Sequence, residues 1–289
     1  MWYQLEIDVC LSEEVDNLSD ILETSGAVSI TLSDKNDNPV LEPLPGSTPL
    51  WPEITIKALF LYEELAEEIA KNLLNLYPHL QINIASLPDQ DWERAWMDDF
   101  KPQQFGERLW VCPSWITPPD PQAVNLILDP GLAFGTGTHP TTQLCLTWLA
   151  KAELAAKTII DYGCGSGILA LAALKLGAAF AYAADIDPQA LQATQSNAKV
   201  NHISEQQLTI TVPADLSVQA DLIIANILLT PLIELKTRFK QLIAPHGLLV
   251  VSGILNEQVA DLIEVYQSDF IHQQTNSLAD WSLIVFTRR

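Results

Sequence analysis

TIIDYGCGSGILALAALKLGAAFAYAADIDP, from Thr158 to Pro188, runs through a β-branched apolar stretch, a turn of three glycines, an apolar helix-length stretch, a second strand-like stretch and two acids. Lys175 and Gly177 interrupt the long apolar run, so it reads as a helix followed by a strand and not as a membrane span. A strand that returns after one helix is a parallel βαβ unit. Working outward, LTITVPA, DLIIANI, GLLVVSGI, FIHQQTN and SLIVFTR continue the alternation. The expected fold is α/β, a seven-stranded doubly wound sheet with helices on both faces. Only a few residues around SLADW separate the last two strands. A parallel crossover needs a dozen or more, so the closing strand is predicted to be antiparallel.

The glycines at 163, 165 and 167 give DxGxGxG, beginning at Asp161. The dinucleotide fingerprint GxGxxG would need glycine at 168, where Ile168 stands, so pyrophosphate binding is disfavoured. Without side chains, Gly163 and Gly165 let the backbone turn sharply and approach a ligand, and the helix that follows offers N–H donors to a carboxylate. Asp161 can meet an ammonium group, so a ligand with an amino-acid head suits both ends. Asp185 stands 22 positions after Gly163, at the end of the second strand. In this topology an acid there lies beside the ribose hydroxyls of a nucleoside. Asp187, directly before Pro188, is expected to cap the helix that begins there.

A second glycine-rich stretch, LAFGTGTHPTT from Leu132 to Thr142, is not a Walker loop. No lysine occurs between Lys101 and Lys151 to reach a terminal phosphate. Its plainest reading is a helix start, with Thr141 or Thr142 capping QLCLTWLAKAEL.

Ahead of this lies a different pattern. WYQLEIDV, AVSITLSD, ITIKALFLY and LQINIASL read as strands, and EEVDNLSDILETSG and EELAEEIAKNLLNLYP as helices ended by Gly26 and Pro78. This βαββαβ order is ferredoxin-like. The expected division is a small α+β domain over 1–88, a Trp/Pro-rich linker over 89–125 and a ligand-binding domain over 126–289. Within the linker, Trp92 and Trp96 are spaced to share one helix face, while Trp110 and Trp115 add to a packed connector.

The net charge of −21 is uneven: residues 1–100 carry 4 basic against 20 acidic side chains. That field repels nucleic-acid backbones and favours a basic partner. The first ten residues lack a basic start, so no secretory leader is expected, and the location expected is cytoplasmic. Four cysteines without CxxC spacing and five scattered histidines predict neither a metal site nor a disulfide framework.

DYGCGSG, ADIDP and ANIL on such a sheet resemble the class I methyltransferases, Rossmann-like enzymes that use S-adenosylmethionine. GLAFGTGTHPTTQLCLTWL ahead of DYGCGSGILALAALKLGA, with ANILLTPLIEL and GLLVVSGIL behind it, resembles the bacterial methyltransferases of the eleventh large-subunit ribosomal protein. The resemblance covers nearly the whole chain. It implies cofactor contacts at Thr142, Gly163, Asp185 and Asn226, with Phe134 and Gly135 lining the methionine side. It also implies a substrate-recognition role for the front domain and a basic ribosomal protein as the substrate, methylated on lysines and an N-terminal amine. Direct nucleic-acid recognition, membrane attachment and oligomerisation are not expected. Where many amine methyltransferases carry Asn-Pro-Pro-aromatic, this chain keeps Asn226 but continues with Ile227, Leu228 and Leu229.

Transfer from a sulfonium to an amine is an in-line displacement in which the enzyme supplies alignment and desolvation. Asn226 is accordingly the candidate catalytic residue, a carbonyl acceptor for the neutral amine, with no single essential general base. A ribosomal RNA methyltransferase and a non-catalytic cofactor-binding module are the competing readings. The first is opposed by the acidic front half.

Overall fold

The computed structural model describes residues 1–9, 12–36, 38, 40, 47–88, 97, 100–129, 135 and 137–289, with Ser12 and Glu13 described in backbone only. Trp92, Trp96 and Phe134 lie outside the described residues. The chain divides into two compact units, Met1–Met97 and Asp98–Arg289.

In the first unit, β1 (Trp2–Val9), α1 (Ser12–Thr24), β2 (Ser29–Asp34), β3 (Ile54–Phe60), α2 (Glu63–Leu76) and β4 (Gln81–Leu87) follow the expected βαββαβ order. The strands lie β2-β3-β1-β4 with every neighbour antiparallel. Period-two alternation sends Leu5, Ile7, Val9, Ile54, Ile56, Ala58 and Phe60 to one face. Val15, Leu18 and Leu22 of α1 and Ala66, Ile69, Ala70 and Leu73 of α2 close over them at helical spacing. Gly26, at φ 97, lets the chain leave α1 in the left-handed region that L side chains avoid. On the other sheet face Lys35 pairs with Asp8 at 3.0 Å and Lys57 lies 4.0 Å from Glu6. Truncating the fully buried Ile7 to alanine is expected to lower this unit's stability by about 3 kcal/mol. A urea denaturation series reads the loss, and an unchanged midpoint would place Ile7 outside the core.

The second unit holds the large sheet, ordered β10-β9-β8-β11-β12-β14-β13. Its strands are β8 (Thr158–Tyr162), β9 (Phe180–Ala184), β10 (Leu208–Thr211), β11 (Ala220–Asn226), β12 (Ile243–Leu255), β13 (Phe270–Leu278) and β14 (Trp281–Arg288). The strands from β10 to β12 are parallel, and β14 runs antiparallel between β12 and β13. The last connection is tighter than the spacing around SLADW suggested. Ser277 pairs with Ser282 and Leu278 with Trp281, leaving Ala279, at φ 52, and Asp280 as the turn.

Helices α3 (Pro140–Lys151), α4 (Ile168–Lys175) and α5 (Pro188–Val200) cover one face, and α6 (Leu229–Leu242) and α7 (Val259–Tyr266) the other. Successive strand residues divide between the two cores: Ile159, Leu222, Ile224 and Val250 join the first, Ile160, Ile223, Ala225 and Val251 the second. That double burial explains why these strands read as continuous apolar runs.

The partition expected at 88 and 125 differs from the observed units. β5 (Gln103–Phe105), β6 (Leu109–Cys112) and β7 (Val124–Ile127) form a small sheet, and a boundary at 126 would cut β7. Phe105, Leu109, Val111 and Leu126 share the core of α3 and α4, so this stretch belongs to the second unit. Strands of three or four residues between prolines are too short to show a period, which hid them among the tryptophans.

Candidate functional site

The site is built at the C-terminal ends of the parallel strands, where the chain leaves each strand for the next helix. After β8 the backbone N–H groups of Gly163 and Cys164 both donate to the Ala184 carbonyl, at 2.8 and 3.1 Å. This fastens the glycine turn to the end of β9. Gly163 sits at φ 80, and a Cβ there would lie 2.5 Å from Ile227 Cγ2. Gly163→Ala is therefore expected to weaken cofactor affinity by about tenfold through displacement of the turn. Calorimetric titration checks this, and unchanged affinity would show that the turn tolerates a side chain. Gly165 and Gly167 also lie at positive φ, 53 and 80.

Asp185 closes the turn from the other side. Gly165 N–H donates to its Oδ2 at 2.9 Å and Asp187 N–H to its Oδ1 at 3.0 Å. Each oxygen retains a lone pair for a further donor. Asp187 accepts from Gln189 N–H at 2.9 Å and caps α5, as its place before Pro188 suggested. The residue between them, Ile186, is 86% exposed. Thr194 Oγ1 donates to the Gly165 carbonyl at 3.0 Å and Asn197 Nδ2 to the Ser166 carbonyl at 2.8 Å, so α5 holds the turn from beneath.

Asp161 is completely buried. Its Oδ2 accepts from Ala170 N–H, in the first turn of α4, at 2.9 Å; its Oδ1 has no hydrogen-bond partner among the described residues. Burial pushes the carboxyl up to about 7, with the Ala170 N–H opposing and the Asp185 charge reinforcing the shift.

The second glycine-rich stretch folds onto the first. Ser166 Oγ donates to the Gly135 carbonyl at 2.6 Å, and Gly135 and Gly137 take φ values of 99 and 92. The expected threonine cap is corrected here. His139 is the N-cap of α3, its side chain accepting from Thr141 N–H at 3.4 Å, with Pro140 opening the helix. The His139 ring also packs edge-on against Trp281, with centroids 4.9 Å apart. Thr141 and Thr142 instead lie within the first turn and are buried. Thr142 Oγ1 accepts from Asn226 Nδ2 at 3.3 Å, joining the start of α3 to the end of β11. Past Asn226, Ile227 N–H donates to the Ser252 carbonyl at 3.1 Å. A Cβ on Gly253 would stand 2.5 Å from the Ile227 carbonyl oxygen, so the two strand ends meet closely.

The candidates thus gather in two linked groups. Asp161, Gly163, Gly165 and Asp185 surround the glycine turn, and Thr142 pairs with Asn226; Gly135 joins the turn through Ser166. The sequence reading passed over Ser166, Ile186, Thr194, Asn197 and the His139–Trp281 pair. The exposed apolar residue inside DID was the one visible signal among them. A cavity of about 540 Å³ between α3 and β13 contains none of these groups.

Such an arrangement offers acceptors for nucleoside hydroxyls at Asp185, a carboxyl for a cation at Asp161 and an amide acceptor at Asn226. The family model for ribosomal protein L11 methyltransferase (PrmA) matches residues 1–289. The ribosomal protein L11 methyltransferase of Legionella pneumophila strain Paris is 60% identical over 289 residues, covering 100% of both chains. The protein of that name from Nitrosococcus oceani is 48% identical over 297 residues, covering 100% of this chain and 99% of its own. A crystal structure of ribosomal protein L11 methylase from Lactobacillus delbrueckii subsp. bulgaricus is 31% identical with a TM-score of 0.60, covering 66% of this chain and 100% of that one. With a family model spanning every residue and full-length relatives at such identity, the chain belongs to the ribosomal protein L11 methyltransferase family.

Proposed function

We propose that the protein transfers methyl groups from S-adenosylmethionine to amines of ribosomal protein L11, lysine side chains and the N-terminal amine among them. The observation that carries this reading is the Asn226–Thr142 bond. With its Nδ2 donating to Thr142, the Asn226 amide is held with Oδ1 available as an acceptor at the end of β11.

The residues around the glycine turn suit the cofactor. Asp161, with a buried oxygen that lacks a partner among the described residues, suits an ammonium group, and the spare lone pairs of Asp185 suit ribose hydroxyls. Ile186 offers an exposed apolar face to the base, and Gly135, tied to the glycine turn through Ser166, suits the methionine end. When bound, the cofactor supplies a methyl group on a sulfonium, with the thioether as its leaving group.

The chain's own task is alignment. A lysine near pKa ~10.4 is protonated at neutral pH and must reach the site neutral before it can attack. Asn226 Oδ1 accepts an N–H of that neutral amine and so directs its lone pair along the line of displacement. Burial beside a cation favours the neutral form. His139 and Trp281 brace the start of α3, on which Thr142 is carried.

The first unit captures the substrate in this reading. Its exposed acids favour a basic protein and disfavour RNA, and the monomeric enzyme acts in the cytoplasm. No helix among the described residues is long and apolar enough to cross a membrane. Incubation with methyl-labelled cofactor and a mixture of free L11 and ribosomal RNA tests the reading. Label is expected in L11, whereas label confined to RNA would contradict it.

A further inference from the structure

We infer that Asp161 is a proton-linked cofactor-binding residue: it is a neutral carboxylic acid in the cofactor-free enzyme and ionises when the cofactor's ammonium group settles against it. The inference rests on the cofactor reading above and concerns what this chain must do to accept that ligand.

Among the described residues, Asp161 has one neutral dipolar partner and no cation. It is the penultimate residue of β8, with no exposed surface, on the sheet face covered by α3 and α4. α4 contributes the Ala170 N–H, bound to Oδ2. The titratable groups facing it are Cys145 from α3, Cys164 from the glycine turn and Asp185 from the end of β9. None of these stabilises a negative charge. Burial raises both thiols far above their ordinary range, so they remain neutral, and Asp185 repels a second carboxylate. No lysine, arginine or histidine among the described residues is hydrogen-bonded or ion-paired to Asp161. A buried carboxylate with one N–H and no counter-charge carries a large desolvation cost, which protonation removes.

The cofactor supplies the missing cation. On binding, the O–H bond of the Asp161 carboxyl breaks, the proton leaves to bulk water, and the carboxylate pairs with the ammonium. No other bond changes. Because the free enzyme holds more protons than the complex, affinity rises with pH until Asp161 is ionised in the free enzyme as well. With the free carboxyl at about 7, the rise approaches tenfold per pH unit below pH 7. It levels above that, and the ligand's own α-amino group, near pKa ~8, then begins to lose its proton.

Titration calorimetry with S-adenosylhomocysteine, which carries the same amino-acid end, counts the proton when run at pH 6 in two buffers of different ionisation enthalpy. The expected result is release of nearly one proton per ligand, falling towards zero near pH 7.5. Asp161→Asn, neutral at every pH and nearly isosteric, is expected to bind with no proton release at pH 6 and no affinity slope below pH 7. Infrared difference spectra of the unsubstituted enzyme give a second readout that does not depend on the variant folding. A protonated-carboxyl stretch should disappear on binding. Tight binding with no proton released, or the same release from Asp161→Asn, would overturn the inference. Absence of binding heat and of any affinity for either cofactor form would instead refute the cofactor reading itself.

Discussion

Asn226→Ala is expected to lower kcat for L11 methylation by about 100-fold while leaving cofactor affinity within a few-fold of the original. The amide stands at the end of β11, two residues past Ile224, which pairs with Asp161 of β8, and it touches the start of α3. Its loss removes the acceptor for the incoming amine and leaves the glycine turn in place. Thr142→Val should cost less, since it frees the amide to rotate without deleting it. Because the two side chains act as one unit, the double variant should be little worse than Asn226→Ala alone. Steady-state kinetics on the four proteins checks this. If Asn226→Ala raised KM alone and left kcat intact, the residue would be a binding contact and not an aligning one.

The second large effect concerns capture. Glu63, Glu64, Glu67 and Glu68 lie on the solvent side of α2, while Ala66, Ile69, Ala70 and Leu73 face the core. Changing all four glutamates to lysine leaves that core untouched and reverses the field a basic partner meets. At low ionic strength, kcat/KM for L11 is expected to fall by about 10- to 100-fold, with kcat nearly unchanged. The penalty should shrink as salt screens the surface. Equal kcat/KM for variant and parent at low salt would remove α2 from the capture step. Together with the Asn226 series, this separates where the substrate is held from where it reacts.

Much of this architecture could be read from local sequence, and the reasons differ by element. Strands β8, β9, β11 and β12 announce themselves because both faces are buried, and the turn after β8 because three glycines must take positive φ. Asp185 and Asp187 both follow β9, which ends at Ala184, and residues two apart share a strand face, so what marks Asp187 as the cap is Pro188 directly after it. What stayed hidden depends on distant partners. Ser166 reaches back to Gly135, Thr194 and Asn197 reach the glycine turn from a helix that begins beyond β9, and Trp281 meets His139 across most of the second unit. No local period carries such pairs. The His139 cap was missed for a related reason, because threonine is the commoner helix-starting residue and two threonines followed it. The small sheet of β5, β6 and β7 escaped because its strands are too short for alternation to declare itself.

Buried charge makes one further link between fold and activity. Asp161 lies at the junction of β8, α3 and α4, so the same packing that builds the core keeps its carboxyl away from water. A cationic ligand would complete that environment. Affinity below pH 7 should therefore depend on proton concentration even though no residue that touches the amine substrate titrates there.

Intact-mass spectrometry of L11 after incubation with enzyme and S-adenosylmethionine reads whether this chain methylates L11 amines, comparing native L11 with L11 whose amines have been blocked by acetylation. Mass should rise in steps of one methyl on the native protein and stay constant on the blocked one. An equal rise on blocked L11, or no rise on native L11 despite bound cofactor, would contradict the account.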